Sequence, residues 1–484
     1  MARKDYDAIV VGSGPNGLSA AITMQRAGLS VLLLEMKETI GGGLRTKELT
    51  LPGFKHDVCS AIHPLAAGSP FFRQLPLHQF GLEYIYPEVS AAHPFDDGGA
   101  AALFRSVEET AQSLGRDEKQ YLKLMRPLVK DWPKLAPDVL GPLHFPDHPV
   151  ALAQFGLNAI TSAKFLANRF VTKEAKGLWG GMCAHSIQPL SNIASSAIGL
   201  VLMATGHLRG WPIPKGGSYS IANALASYFV SIGGKIQTNF HVQHLDDLPV
   251  SDAVLFDVTP KQLLKIAGQR FSFLYKWQMN RYRYGMGVFK IDWALDDTIP
   301  FTADACSKAG TIHLGNTFAE IASAELLTSK GKIAEKPFVL LAQQSVYDAS
   351  RAPAGRHTAW AYCHVPNGSQ VDMTEAIEQQ VERFAPGFRE RILARHTINT
   401  FQMQEYNPNY IGGDINGGVI DITQLYTRPV ISLSPYRTSA KGLYICSLST
   451  PPGGGVHGMC GYYAAKRALK DVFDLEEKIG LASG

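Results

Sequence analysis

Residues 5–35, DYDAIVVGSGPNGLSAAITMQRAGLSVLLLE, constrain the chain more than any other stretch. Asp7 to Val11 is a short β-rich run, and Gly12-Ser13-Gly14-Pro15-Asn16-Gly17 follows at once. Leu18, Ala21 and Ile22 then share one helical face until Gly28, a natural helix stop. LSVLLLE is nearly continuous apolar sequence, as expected of a strand buried on both faces. The pattern predicts a βαβ unit with G-x-G-x-x-G between strand and helix. Gly12 allows the tight turn, Gly14 lets the backbone approach a pyrophosphate, and Gly17 permits close helix-to-strand packing. The helix N-terminus offers N–H groups and partial positive charge to phosphates. Glu35, 23 residues after Gly12, is placed to accept from ribose hydroxyls, and a carboxylate there disfavours a 2′-phosphate. The expected ligand is therefore FAD or NAD rather than NADP. Its contacts on this unit are Gly12, Ser13, Gly14, Pro15, Asn16, Gly17, Glu35 and Met36.

Composition removes other classes. Lys plus Arg number 46 against 42 Asp plus Glu, with no block of like charge, so no nucleic-acid surface is suggested. The cysteines at 59, 183, 306, 363, 446 and 460 contain no C-x-x-C pair, which argues against a redox disulfide, a zinc site or a secreted framework. His241 and His244 lack a third ligand at metal spacing, and no metal is expected. The apolar run before Gly12 is too short for a signal peptide, and no window reaches the length of a spanning helix. These features predict a cytoplasmic protein.

Downstream of the βαβ unit lies ETIGGGLRTKELTLPGFKHD, with Gly41-Gly42-Gly43-Leu44-Arg45-Thr46. Near the other end lies GLYICSLSTPPGGGVHGMCGYYAAKRALKDVF from Gly442, and mid-chain GWPIPKGGSYSIANALASYFVSIGGKIQTNFHVQHL. With these three segments the chain resembles the FAD-dependent amine oxidase and phytoene desaturase superfamily, nearest its pyridine nucleotide-disulfide oxidoreductase domain 2-like branch. Thr39 and Leu44 stand where R-x-G-G-R would have its arginines, with Arg45 as the substitute charge. Ser447 and Ser449 replace two glycines of the C-terminal element, and Pro451 a histidine. The resemblance implies FAD contacts at Gly42, Gly43, Leu44, Arg45, Thr46, Val242, Thr450, Gly455, Val456 and His457. It also implies a Rossmann-like α/β domain assembled from 1–75, 206–270 and 400–484. An inserted α+β substrate domain, 76–205 and 271–399, would carry helices and a mixed sheet.

Residues 76–205 read as mostly helical, and ALAQFGLNAITSAKFLANRF as one amphipathic helix. Its Phe155, Ile160, Phe165 and Phe170 suit core, a substrate tunnel or peripheral contact with a membrane. Residues 284–365 read as strands; in MGVFKIDWAL, Val288, Lys290 and Asp292 alternate with Phe289, Ile291 and Trp293. Catalytic candidates are His63, His457 and Tyr410, with Cys59, His185 and Asn409 behind them, and each equally suits a structural hydrogen bond. No Ser-His-Asp set or paired carboxylate competes with a flavin.

The resemblance implies an enzyme that moves hydride between flavin N5 and a C–C or C=C bond of an apolar, polyene or isoprenoid-like small molecule. Desaturation, saturation and isomerisation all fit. Only one complete nucleotide fold is visible, so oxygen or a quinone is the expected electron acceptor. Two rivals share the architecture: an amine or amino-acid oxidase, for which no lysine stands out, and a non-catalytic binder of prenyl groups or proteins, as in Rab GDP-dissociation inhibitors.

Overall fold

The computed structural model describes residues 4–475; residues 1–3 and 476–484 of the expected terminal segments lie outside them. Tyr6–Val11 (β1), Pro15–Arg26 (α1) and Val31–Leu34 (β2) form the opening βαβ unit. Val89–Pro94 (β3) and Ala100–Leu103 (β4) make a hairpin, followed by helices Glu118–Val139 (α2), Pro149–Ala159 (α3), Lys173–Ala184 (α4), Ser195–Arg209 (α5) and Tyr219–Ser231 (α6). Next come Lys235–Gln237 (β5), Ser251–Phe256 (β6), Gly287–Leu295 (β7), Ala309–Leu314 (β8), Phe318–Ser329 (α7), Val339–Ala342 (β9), His357–Val365 (β10) and Ile392–Ile398 (β11). Leu443–Ile445 (β12) and Met459–Ala468 (α8) complete the frame.

Two sheets organise these elements. A parallel sheet has the order β12-β6-β1-β2-β5, drawing strands from three distant parts of the chain. The strand order reverses about β1, whose neighbours are β6 and β2, and the crevice beyond their carboxyl ends is where such sheets bind ligands. The second sheet, β11-β7-β10-β9-β8-β3-β4, is antiparallel except at β8–β3.

The last helix is fastened to the first. A Cβ on Gly461 would run into the Asn16 carbonyl oxygen, and one on Gly458 into Ser19 Oγ, so α8 and α1 meet backbone to backbone. Pro15 opens α1 at its first turn, where the missing N–H costs nothing.

Two readings of the sequence change. The region 76–205 is not helical throughout, because β3 and β4 lie within it, joined at Asp96-Asp97-Gly98-Gly99. The ALAQFGLNAITSAKFLANRF segment is two helices rather than one: Ser162 accepts from the Phe165 N–H and caps the short helix Ala163–Ala167. The break turns Phe170 into the core and leaves Ile160 and Phe165 more than half exposed. None of that stripe lines the main cavity.

Candidate active site

A cavity of about 920 Å³ runs between the two sheets. One end is walled by Glu35, Met36, Lys37 and the 240–244 segment around Val242. It passes Gly12 to Asn16, Gly42 to Arg45, Cys59 to Ala66 and Gly454 to Val456. The far end lies under the second sheet and α5, among Ile187, Ile198, Val201, Leu202, Trp211, Leu340, Trp360 and Tyr362. The cavity walls thus unite the opening turn, the 240–244 segment and the tail glycines.

The glycines shape a channel for something thin. Gly12 has φ +103, and a Cβ there would lie 3.0 Å from the Asp257 carbonyl oxygen. Gly42 has φ +57, and its Cβ would lie 3.1 Å from the Gly14 Cα. Only backbone without side chains can close this tightly around a ligand. Asn16 also lines the channel, and its buried side-chain oxygen has no partner. A dinucleotide fits both the slot and the orphaned atom.

Glu35 is buried and fully engaged. Oε2 accepts from the Ser13 N–H at 3.1 Å and the Ser13 hydroxyl at 2.5 Å; Oε1 accepts from the Lys37 N–H at 2.9 Å and Arg45 Nη2 at 3.1 Å. A carboxylate has about four such acceptor positions, so a ribose hydroxyl would have to take the place of one of these donors. Arg45 donates through Nε and Nη2 to the Thr39 carbonyl. Thr39, at the missing arginine position, therefore holds its replacement.

The remaining expected residues divide. Tyr410 lines the cavity with its hydroxyl against Gly43 and bonded to Cys59, and burial pushes its pKa well up. His63 also lines it, but Nε2 lies 2.7 Å from Ser218 Oγ, whose proton goes to the Ser60 carbonyl. The imidazole must therefore donate from Nε2, and burial lowers its pKa to about 4, which fixes a neutral ring. His457 is not part of the cavity wall: it is buried, and Nδ1 accepts from the Met459 N–H at the start of α8. Thr450 and Thr46 are likewise turned away, Thr450 donating to the Ser447 carbonyl and Thr46 to Asp57. Gly17 packs behind the channel against Gly12. Asn409 bridges Thr259 N–H and the Asp257 carbonyl. His241 and His244 line the Glu35 end. No group of three His, Cys, Asp or Glu placed to hold a metal occurs among the described residues.

Residues 10–75 match the NAD(P)-binding Rossmann-like domain family. Pyridine nucleotide-disulfide oxidoreductase domain-containing protein 2 of Rattus norvegicus is 26% identical, covering 97% of this chain and 94% of its own. A limonene dehydrogenase chain from Castellaniella defragrans is 22% identical over 97% and 95% of the two chains. Phytoene desaturase (lycopene-forming) of Pantoea ananas is 22% identical over 95% and 98%. Among solved structures, an oxidoreductase from Methanosarcina mazei superposes with TM-score 0.65 at 15% identity, covering 96% of this chain and 99% of that one. Putrescine oxidase bound to putrescine gives TM-score 0.61 at 15% identity, covering 97% and 99%. Over nearly its whole length the chain is thus similar to proteins named as oxidoreductases, and it shares the fold of amine oxidase-like flavoproteins.

Within that fold, three features of this chain escaped sequence reading. Asp257, just past β6, accepts the Gly17 N–H at 2.9 Å and so sits at the α1 N-terminus. Burial pushes its pKa up to about 7, against the opposing pull of the Gly17 N–H. An anion bound there favours the protonated carboxyl, so dinucleotide affinity falls as pH rises through about 7. The folded protein likewise loses stability over that rise, since the folded pKa lies above the ordinary value. Asp257→Asn keeps an acceptor for Gly17 without the charge. It is expected to bind FAD about tenfold tighter than the parent at pH 8 and to flatten the pH profile, measured by titrating apoprotein.

Lys290 and Asp292 form the second. Both are fully buried on the cavity-facing side of β7 and bonded to each other, with Lys290 Nζ 5.8 Å from the Trp360 ring centre. Burial alone would raise the Asp292 pKa, but Lys290 holds it below the usual range. Alternation marked these two as one face, and in most strands a charged face is solvent. Here it is the covered one.

The third is the pair Asp57 and Arg351, both fully buried, joined at 2.7 Å. It couples the Lys55–Asp57 strand to the loop after β9. No sequence spacing announces a contact between residues so far apart.

Proposed function

We propose that the chain is an FAD-dependent oxidoreductase that transfers hydride to or from a C–C or C=C bond of a neutral, largely apolar substrate. The observation that carries this reading is the far end of the cavity. Ile187, Ile198, Val201, Leu202 and Leu340 face it, and no carboxylate lines it among the described residues. Bound FAD supplies the hydride donor or acceptor. The protein's own groups bind and orient: Gly12 to Asn16 and Gly42 to Arg45 would hold the phosphates and ribityl chain, Glu35 the ribose, and Val242 the adenine. Ile198, Val201 and Leu202 exclude water from the reacting bond. Whole-length likeness to a limonene dehydrogenase chain and a phytoene desaturase supports an apolar substrate.

Oxygen or a quinone completes turnover in this reading. The outer surface near the cavity supports contact with a membrane: α3 packs on α5, while Phe145, Leu157, Ile160 and Phe165 are exposed. No described helix is long and apolar enough to cross a membrane. An amine oxidase is the second reading, favoured by buried Lys290 and the putrescine oxidase fold. A cavity end without a carboxylate weighs against an ammonium substrate.

The purified protein is expected to be yellow, to release FAD on acid precipitation, and to bleach anaerobically with limonene or a carotene but not with primary amines. Reoxidation by air or by added quinone identifies the acceptor. Protein that stays colourless in excess FAD overturns the reading.

A further inference from the structure

Three residues on the wall of the apolar end of the cavity carry hydrogen-bond donors that no group in the protein receives. Trp360 on β10 is paired in register with Ala342 on β9, which is paired with Thr311 on β8. Trp360 and Thr311 therefore rise from the same sheet face, two strands or about 10 Å apart, with only a methyl group between them. Both line the cavity. Trp360 Nε1 is buried and has no partner. Thr311 Oγ1 accepts from Trp211 Nε1 at 3.0 Å, which leaves its own proton to give.

His185, also on the cavity wall, supplies the third. Its Nε2 lies 2.9 Å from His313 Nε2, so one ring donates and the other accepts. His313 Nδ1 is buried without a partner and lies close against α4, where a Cβ on Gly181 would sit 2.6 Å from it. Burial keeps both rings neutral. An orphaned N–H is costlier than an orphaned lone pair, so the network places the His313 proton on Nε2. His185 then accepts at Nε2 and carries its proton on Nδ1.

We propose that Trp360 Nε1, the Thr311 hydroxyl and His185 Nδ1 recognise a neutral carbonyl oxygen on an otherwise apolar ligand. This rests on the reading above and narrows its substrate class from hydrocarbon to ketone, aldehyde or ester. A hydrocarbon would leave all three donors unsatisfied, each a buried polar group without a bond. An ammonium ion would set donor against donor. A carboxylate would be buried among neutral donors with no cation to balance it. A quinone offers the same carbonyl chemistry as a substrate, so the two sources are separated by experiment.

Carvone and limonene share one carbon skeleton and differ by a carbonyl. Equilibrium dialysis against the full chain, with flavin content measured on the same sample, compares them with carvylamine and ubiquinone-1. Carvone is expected to bind about tenfold tighter than limonene. Trp360→Phe, which also gives up buried ring volume and so lowers Tm somewhat, should weaken carvone about tenfold more than it weakens limonene. Thr311→Ser, which retains the hydroxyl, should retain carvone affinity. Dependence on Trp360 for carvone assigns the site to the substrate, and dependence for ubiquinone-1 alone assigns it to the electron acceptor. Equal affinity for carvone, limonene and ubiquinone-1, equal weakening of all ligands by Trp360→Phe, or tighter binding of carvylamine overturns the proposal. A colourless sample fails the flavin reading instead, and the carvone-to-limonene ratio is read all the same.

Discussion

Gly17→Ala is expected to abolish FAD binding and to cost about 3 kcal/mol or more in stability. The added Cβ would occupy the position of the Gly12 carbonyl oxygen and lie 3.2 Å from Asp257 Cβ. Neither neighbour can give, since one is backbone and the other is held by the bond to the Gly17 N–H. Helix α1 must then lift from β1, which opens the phosphate channel at its narrowest point. Gly14→Ala should be milder. Its Cβ would lie 2.7 Å from Asp257 Oδ2, a side-chain end that can turn at the cost of its bond to the Gly17 N–H, and it meets no backbone. Flavin content after purification, together with urea denaturation, separates the two variants. A Gly17→Ala protein with full flavin content would show that α1 does not carry the phosphates.

Arg351→Met is expected to destabilise the chain by about 3–5 kcal/mol, because it strands a buried carboxylate. Asp57 also accepts from the Ser218 N–H at 2.8 Å and the Thr46 hydroxyl at 2.7 Å, but those donors are neutral. Burial raises the Asp57 pKa and the Arg351 charge more than offsets it, leaving the group below the usual carboxylate range. The stabilisation is therefore present above the unfolded value near 3.8 and is lost as pH falls through the lower folded pKa. Without Arg351 the sign reverses, and acid relieves the stranded charge. The stability gap between parent and variant should thus narrow from pH 7 to pH 4 in urea titrations. Asp57→Asn combined with Arg351→Met should recover part of the loss, as coupled partners do.

Legibility in the sequence followed the distance over which each feature is made. The opening βαβ unit could be read because its turn, helix and strands are contiguous, and each glycine there answers a local steric demand. The Leu443–Ile445 strand and the 453–458 glycines were recognisable as strings, though their neighbours were not. The β3–β4 hairpin was overlooked because VSAAHP and AAAL are rich in alanine, with Val89 their one β-branched residue and no Phe, Tyr or Trp, although the Asp96 to Gly99 turn was in plain view. Alternation correctly grouped Lys290 with Asp292, yet no pattern within β7 reveals that His56 and Trp360 cover them. The histidines differ. His63 and His457 stand out among small residues, and in the fold each is consumed by an ordinary hydrogen bond. His185, ranked behind them, lines the cavity and bonds to His313 through Nε2 alone.

The contact of Gly461 with the Asn16 backbone bears on how the protein is made. The nucleotide fold begun by the first thirty-odd residues lacks an edge strand and a covering helix until residues 443–468 leave the ribosome. The flank of α1 that α8 covers stays bare until those residues arrive, though α6 packs on another side of it. A chain cut short of residue 443 is therefore expected to bind ANS through that bared flank.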